Sequence, residues 1–313
     1  MGAGDVVARF WNKTLCARAS VEVVGVCSAG GRSAAATAAI HGAKVAAGYG
    51  DLIDDPDVDS LLIASPPHTH LEIAGAALAA GKNVLLEKPI CANLADARSL
   101  LAMGRDAPGI LGITFNNRLR DNNAWVRDQV LKGVVGRPLD VQLRWHRTKG
   151  MPPEPWRADP GRAFGGVLAD LGSHLLSMGL AVLPKRRHFD AHCRLHVAAG
   201  AQARLDHAAT ASARIDDRVT LHLSAAWDVD MAIPVNFAFE VSGTSGDIAA
   251  SGYPGKSDDG YGTVLDGFLS AVENARQPDL DLFEDVMILL DAFYRAAADG
   301  SVAGRFAAGE RGI

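Results

Sequence analysis

Two short stretches of this 313-residue sequence carry side chains whose types and placement could serve chemistry, and the first could move a proton on or off a carbinol oxygen. In Gly165-Gly166-Val167-Leu168-Ala169-Asp170-Leu171-Gly172-Ser173-His174, an acid and a histidine stand four apart, which on a helix puts them on one face. A carboxylate so placed orients an imidazole, and an imidazole poised near neutral pH is the natural acceptor for the proton of a hydroxyl losing hydride. The plain alternative is a surface ion pair, yet the double glycine ahead of it implies close approach of the backbone to another group. The second stretch is Glu87-Lys88-Pro89, at the end of an apolar run. A similar run precedes Ser65-Pro66-Pro67-His68-Thr69-His70. In a parallel sheet both would lie at the carboxyl edge, where ligands bind. As mere connectors they would be solvated turns, but two successive strand ends with polar residues beside prolines are unusual for that.

Gly2-Ala3-Gly4 fits the start of G-x-G-x-x-G, in which glycines let the backbone approach a pyrophosphate at a helix N-terminus. The match is partial: Val7 holds the third glycine position, and Met1 stands where a buried strand should lead in. No metal is expected. His68 and His70 lack a third ligand nearby, and His188, His192 and His196 fall in a segment that reads as a strand, where neighbours four apart lie about 13 Å away.

The elements that must position these groups divide the chain in two. Residues 1–114 alternate short apolar runs, at 21–27, 60–64, 83–86 and 110–115, with alanine-rich helices at 32–41 and 70–80, the pattern of a Rossmann-like parallel sheet. Residues 115–313 read as an α/β domain with a mostly antiparallel open sheet, its strands at 141–146, 192–198, 208–215, 219–227 and 235–241, and helices at 123–132, 167–183, 263–276 and 283–299. Net charge is −5 and the pI about 6.0, which argues against a phosphate-tracking nucleic-acid binder and favours small-molecule partners. Four scattered cysteines without a C-x-x-C pair suit a reducing cytoplasm. No apolar run approaches the roughly 20 residues of a membrane span, and no signal segment opens the chain.

Taken together, the Ser65–His70 stretch, Gly81-Lys82-Asn83-Val84-Leu85-Leu86-Glu87-Lys88-Pro89 and Asp170-Leu171-Gly172-Ser173-His174 resemble the glucose-fructose oxidoreductase and inositol dehydrogenase family (Gfo/Idh/MocA). The likeness runs on through Phe115-Asn116-Asn117-Arg118, Ser224-Ala225-Ala226-Trp227 and Val241-Ser242-Gly243-Thr244-Ser245-Gly246. It implies an NAD(P)-dependent oxidoreductase with cofactor between its domains, and a homodimer or homotetramer built through the C-terminal sheet. By the same resemblance Lys88 contacts substrate and nicotinamide, His174 acts as acid or base, and Asp170 orients it. Gly2, Gly4, Ser65, Pro66, His70 and Glu87 would line the cofactor site, with Trp156 and Arg157 reaching it from the second domain.

Two positions depart from the family pattern. The acid that binds ribose hydroxyls in NAD-using members is replaced by Ser28, with Arg32 four residues on, which predicts NADP rather than NAD. The aspartate often found three residues after the histidine is Ser177. Arg118, Arg144, His146, Arg147 and Lys149 suggest an anionic substrate, or simply a solvated basic face. For the absent first strand, the expectation is a natural start upstream of Met1; the alternative is a rearranged, cofactor-free binding protein. A third reading keeps the nicotinamide bound and performs net epimerisation or elimination.

Overall fold

The computed structural model describes residues 2–29, 31–148, 155–185, 188–197, 205–227, 237–251, 260–298 and 304–307. Lys149, and the expected element ends at 198, 235–236 and 299, lie outside the described residues. Two compact units form: Met1–Asn116 with Asp259–Leu280, and Asn117–Asp258 with Asp281–Ile313.

The first unit opens with a helical run, a π turn over Val7–Trp11 continuing into α1 (Asn12–Cys16). Next along the chain are β1 (Gly25–Val26), α2 (Arg32–His41), β2 (Lys44–Val45), α3 (Tyr49–Asp54), β3 (Ser60–Ile63), α4 (His70–Ala79), β4 (Asn83–Leu86), α5 (Leu94–Asp106) and β5 (Leu111–Ile113). The strands are all parallel but fall into two sheets, β1-β2 and β3-β4-β5. Gly2 stands between them. Its amide donates to the Cys27 carbonyl at 2.9 Å, and a β-carbon on it would come within 2.6 Å of the Ala64 carbonyl group. With φ at +80° and no room for a side chain, this position requires glycine. The expected strand at 21–27 is paired over only two residues, because its other edge meets nothing among the described residues beyond that single amide. Short α3 and β2 escape periodicity altogether. The 13-residue α5 shows its start in Asn93, whose side chain accepts from the Asp96 amide.

In the second unit α6 (Asp121–Leu131) leads to β6 (Pro138–His146) and α7 (Pro160–Ala163). A π turn at Leu168–Gly172 runs directly into α8 (Ser173–Ala181). Then come β7 (His188–Val197), β8 (Asp206–Ile215), β9 (Val219–Ala226), β10 (Phe237–Gly243) and β11 (Gly246–Ser251). Helix α9 (Tyr261–Glu273) returns to the first unit, while α10 (Asp281–Ala298) and β12 (Gly304–Ala307) complete the second. The seven strands run in the order β11-β10-β6-β9-β8-β7-β12, antiparallel throughout except for β6 beside β9. Strand β9 alternates buried and half-buried positions along its whole length, as a sheet with one covered face demands. Helices α8 and α10 cover that face.

In the first unit α9 closes the edge of the three-stranded sheet. Gln277, just past it, gives and receives a bond with the backbone of Leu111, and so imitates a neighbouring strand. Arg18 grips Asp266 of α9 through two nitrogens at 2.6 and 2.9 Å. Among the described residues the stretch Gly161–Ala181 alone has the length and hydropathy of a membrane span, but 83% of its apolar window is buried within the protein. Its hydrophobicity is that of a core helix.

Candidate functional site

In the first unit the carboxyl ends of β1 and β3 meet at Gly2, and the end of β4 lies beside that of β3. Cys27 and Ser28 lie just past β1, Ser65 and Pro66 past β3, and Glu87 and Lys88 past β4. The Glu87 amide donates to Ile63 across β3 and β4, extending the ladder to the point where the side chains change from apolar to polar. Around Gly4, unlike Gly2, a β-carbon would meet nothing within 4 Å. Open space above a glycine at the head of a helical run is the setting that admits a phosphate.

Glu87 is buried, and its carboxylate accepts from the indole Nε1 of Trp11 at 2.8 Å and from the Lys88 amide at 3.1 Å. Burial pushes this carboxyl above the usual range, against the pull of the Trp11 bond. Trp11, fully buried, packs edge-on against Tyr261 of α9. The helical run after the glycines is thus tied to the strand end that carries Lys88. The Lys88-Pro89 bond is cis.

His70 has a different setting from the one the resemblance implies. It is fully buried, with Nε2 at 2.8 Å from the Ser65 carbonyl and Nδ1 at 3.0 Å from that of Ile90. Burial drives its proton affinity down, while the carbonyls oppose that. The ring is a brace between the loops after β3 and β4, not a surface offered to a ligand. Ser65 is held by Thr69 at 2.7 Å, and Ser28 by Ser33 at 3.1 Å. Arg32, exposed, is the first residue of α2 and lies on the same connection as Ser28.

In the second unit Asp170 lies within the π turn and His174 in the first turn of α8. The imidazole is buried and tilts against Trp145 of β6, ring centroids 5.8 Å apart. Two guanidiniums flank Asp170: Arg157 at 3.7 Å and Arg147 at 3.8 Å. Arg157 also lies over the Trp156 ring at 4.4 Å. Residues assigned separately to chemistry, cofactor and substrate charge therefore share one cluster. Arg118 and His146 have other partners. Arg118 rests on the Phe283 ring with its pKa lowered by burial to about 10, and His146 bonds Ser224 at 2.8 Å. Ser177 is fully buried, and its hydroxyl donates to the His174 carbonyl at 2.7 Å, a bond within the helix.

The residues that sequence reasoning missed are the supports. Trp11 carries no motif. Asp206, buried, and Tyr294, half-buried, engage the backbone just before Asp170. Only the glycine pair at 165 and 166 hinted at them.

Comparison with known proteins agrees with this architecture. Residues 1–115 match the model of an oxidoreductase family with an NAD-binding Rossmann fold, GFO_IDH_MocA, and residues 124–249 match the GFO/IDH/MocA C-terminal domain. The 1,5-anhydro-D-fructose reductase of Ensifer adhaerens is 32% identical over 173 residues, which are 54% of this chain and 51% of that protein. The chain thus spans about half the length of the curated relatives it matches. Among solved structures, GenD2 from gentamicin A biosynthesis in complex with NAD aligns at TM-score 0.85 and 22% identity, covering 95% of this chain and 92% of that one. A levoglucosan dehydrogenase in complex with NADH and levoglucosan aligns at TM-score 0.83 and 19% identity, over 98% and 97% of the two chains. With a Rossmann unit and a mixed-sheet unit each matched by its half of one paired family, the chain belongs to the GFO/IDH/MocA oxidoreductases.

Proposed function

We propose that this protein transfers hydride between a nicotinamide cofactor and a carbinol or ketone of a sugar, inositol or related polyol. The observation that carries this reading is the meeting of two parallel-strand ends, those of β1 and β3, at Gly2, with open space at Gly4, in a chain of this family. Gly2, Gly4, Ser65 and Pro66 would hold the cofactor, with Glu87 and His70 bracing their loops. Trp156 and Arg157 are proposed as further cofactor contacts. When bound, the nicotinamide supplies or accepts the hydride.

The chain's own groups handle the proton and the charge. His174 takes the proton from the hydroxyl as the carbon is oxidised and returns it on reduction. Asp170 stabilises the imidazolium so formed, with Arg147 and Arg157 flanking its carboxylate. The Lys88 ammonium stabilises negative charge developing on the reacting oxygen. NADP is the proposed cofactor, because Ser28 presents no carboxylate to a 2′-phosphate and Arg32 shares its connection. The exposed face of the seven-stranded sheet is the proposed contact for a homodimer or homotetramer, and the four free thiols suit a reducing cytoplasm.

The test is direct. Calorimetric titration should give a lower dissociation constant for NADPH than for NADH, and a panel of polyols and ketosugars should change absorbance at the reduced-nicotinamide band. Binding of neither cofactor would overturn the reading; equal or tighter binding of NADH would overturn only the NADP assignment.

A further inference from the structure

The helix that bears Asp170 and His174 starts, like any helix, with amides that its own preceding turn cannot satisfy. Here two side chains from other elements of the second unit meet them. Asp206, the first residue of β8, is 3% exposed; its Oδ1 accepts from the Gly166 amide at 2.8 Å and its Oδ2 from the Leu168 amide at 2.7 Å. Tyr294 of α10 donates its hydroxyl to Asp206 Oδ1 at 3.0 Å and accepts from the Ala169 amide at 3.2 Å. A β-carbon on Gly165 would collide with the Tyr294 ring, and one on Gly166 with the backbone of Asp206. The double glycine is therefore the opening through which these two groups reach the main chain.

An ordinary N-terminal cap needs one acceptor oxygen. This carboxylate uses both oxygens on two amides, and a hydroxyl takes the next amide in line, so three donors are fixed in both position and direction. Leu168 and Ala169 already belong to the π turn, a rare geometry that tends to mark functional sites. Asp170 sits inside that turn and His174 two residues beyond its end.

We propose that Asp206 and Tyr294 are a positioning pair that holds the π turn in register and so sets where Asp170 and His174 point. This rests on the reading of those two residues as the reactive groups. Burial raises the Asp206 carboxyl while its amide and hydroxyl donors pull it back, and burial beside that acid keeps the Tyr294 hydroxyl protonated far above its usual range, as its donor role requires.

The experiment compares Tyr294→Phe, Asp206→Asn and His174→Ala in the full chain, using NADPH or NADP with the most active compound of the panel. The asparagine turns a donor toward the Leu168 amide where an acceptor is needed. The phenylalanine removes one hydroxyl and keeps the ring. Each should lower kcat by about ten- to a hundredfold, since a displacement near 1 Å suffices for that, while the cofactor dissociation constant stays within about twofold. The His174 ring resonances in NMR should also move in Tyr294→Phe.

A melting temperature that falls while kcat per folded molecule and the His174 resonances stay at wild-type values would overturn the inference and leave the pair a structural cap. Full turnover in His174→Ala would instead overturn the reading of the site, and the ring resonances would still judge the inference. Should Asp206→Asn fail to fold, Tyr294→Phe decides alone.

Discussion

Each unit builds its candidate residues on a buried carboxylate, and the two carboxylates are held in opposite ways. Glu87 is adjacent to the lysine it supports, and its distant donor is a side chain, Trp11, 76 residues earlier. Asp206 is 40 residues from Gly166, and most of its donors are main-chain amides beside the residues it supports. A side-chain donor can be deleted by one substitution, whereas an amide cannot. The first arrangement is thus open to attack from its partner, and the second only from the acid, the tyrosine or the glycines that let them in.

The largest expected effect comes from the supported groups themselves. Lys88→Ala and His174→Ala should each lower kcat by about a hundredfold or more, as for loss of a positioned acid-base or electrostatic group. Steady-state rates near wild type in either variant would remove that unit from the comparison. Asp170→Asn should lower kcat less and leave the cofactor dissociation constant unchanged.

Next in size is Gly166→Ala, in which the added methyl meets the Asp206 backbone. Urea denaturation should show a loss of about 2 kcal/mol or more, the scale of an overpacked site that backbone cannot easily vacate. A neutral result would mean that the glycine is not needed for the close approach.

Trp11→Phe should cost about 1 to 2 kcal/mol, because it leaves one oxygen of a buried carboxylate without its indole donor. The loss should be smaller than at Gly166, since Glu87 keeps the Lys88 amide. An equal or larger loss would erase the distinction between the two anchors.

The subtlest effect concerns pH. Burial raises the Glu87 carboxyl, so its contribution to stability is full below the ordinary carboxylate range and is lost as pH rises through the raised value. Glu87→Gln has no such loss, and its melting temperature relative to wild type should climb across that window. A difference independent of pH would mean that the folded and unfolded proton affinities of Glu87 are alike.

Much of this was legible in the residues. Helix Arg32–His41 and strand Asn83–Leu86 lie where alanine content, glycine stops and an apolar run place them, and the mixed sheet of the second unit follows from alternation. Ser65 and Lys88 fall at parallel-strand ends because βα connections put them there. Long-range supports were illegible for the opposite reason. Nothing local marks Trp11, Asp206 or Tyr294 as partners of residues tens of positions away. His70 reads as a ligand-facing residue in a motif, yet two carbonyls already occupy its ring. The π turn is invisible to an i, i+4 pattern, which fits Asp170 and His174 equally well without it.

The patch formed by β1, β2 and α2 has a core of Ala3, Val26, Ala34 and Ala38, with Val23 and Ala43 against it. Side chains this small withdraw little apolar surface from water, so the patch resists local opening less than the Leu- and Ile-rich block around β3, β4 and β5. In hydrogen-exchange terms the amides of α2 are expected to exchange faster than those of β3 and β4. Ser28 and Arg32 ride on it. If Ser28 and Arg32 hold a cofactor phosphate as proposed, binding would also have to order that segment, and part of the contact free energy would be offset by the ordering.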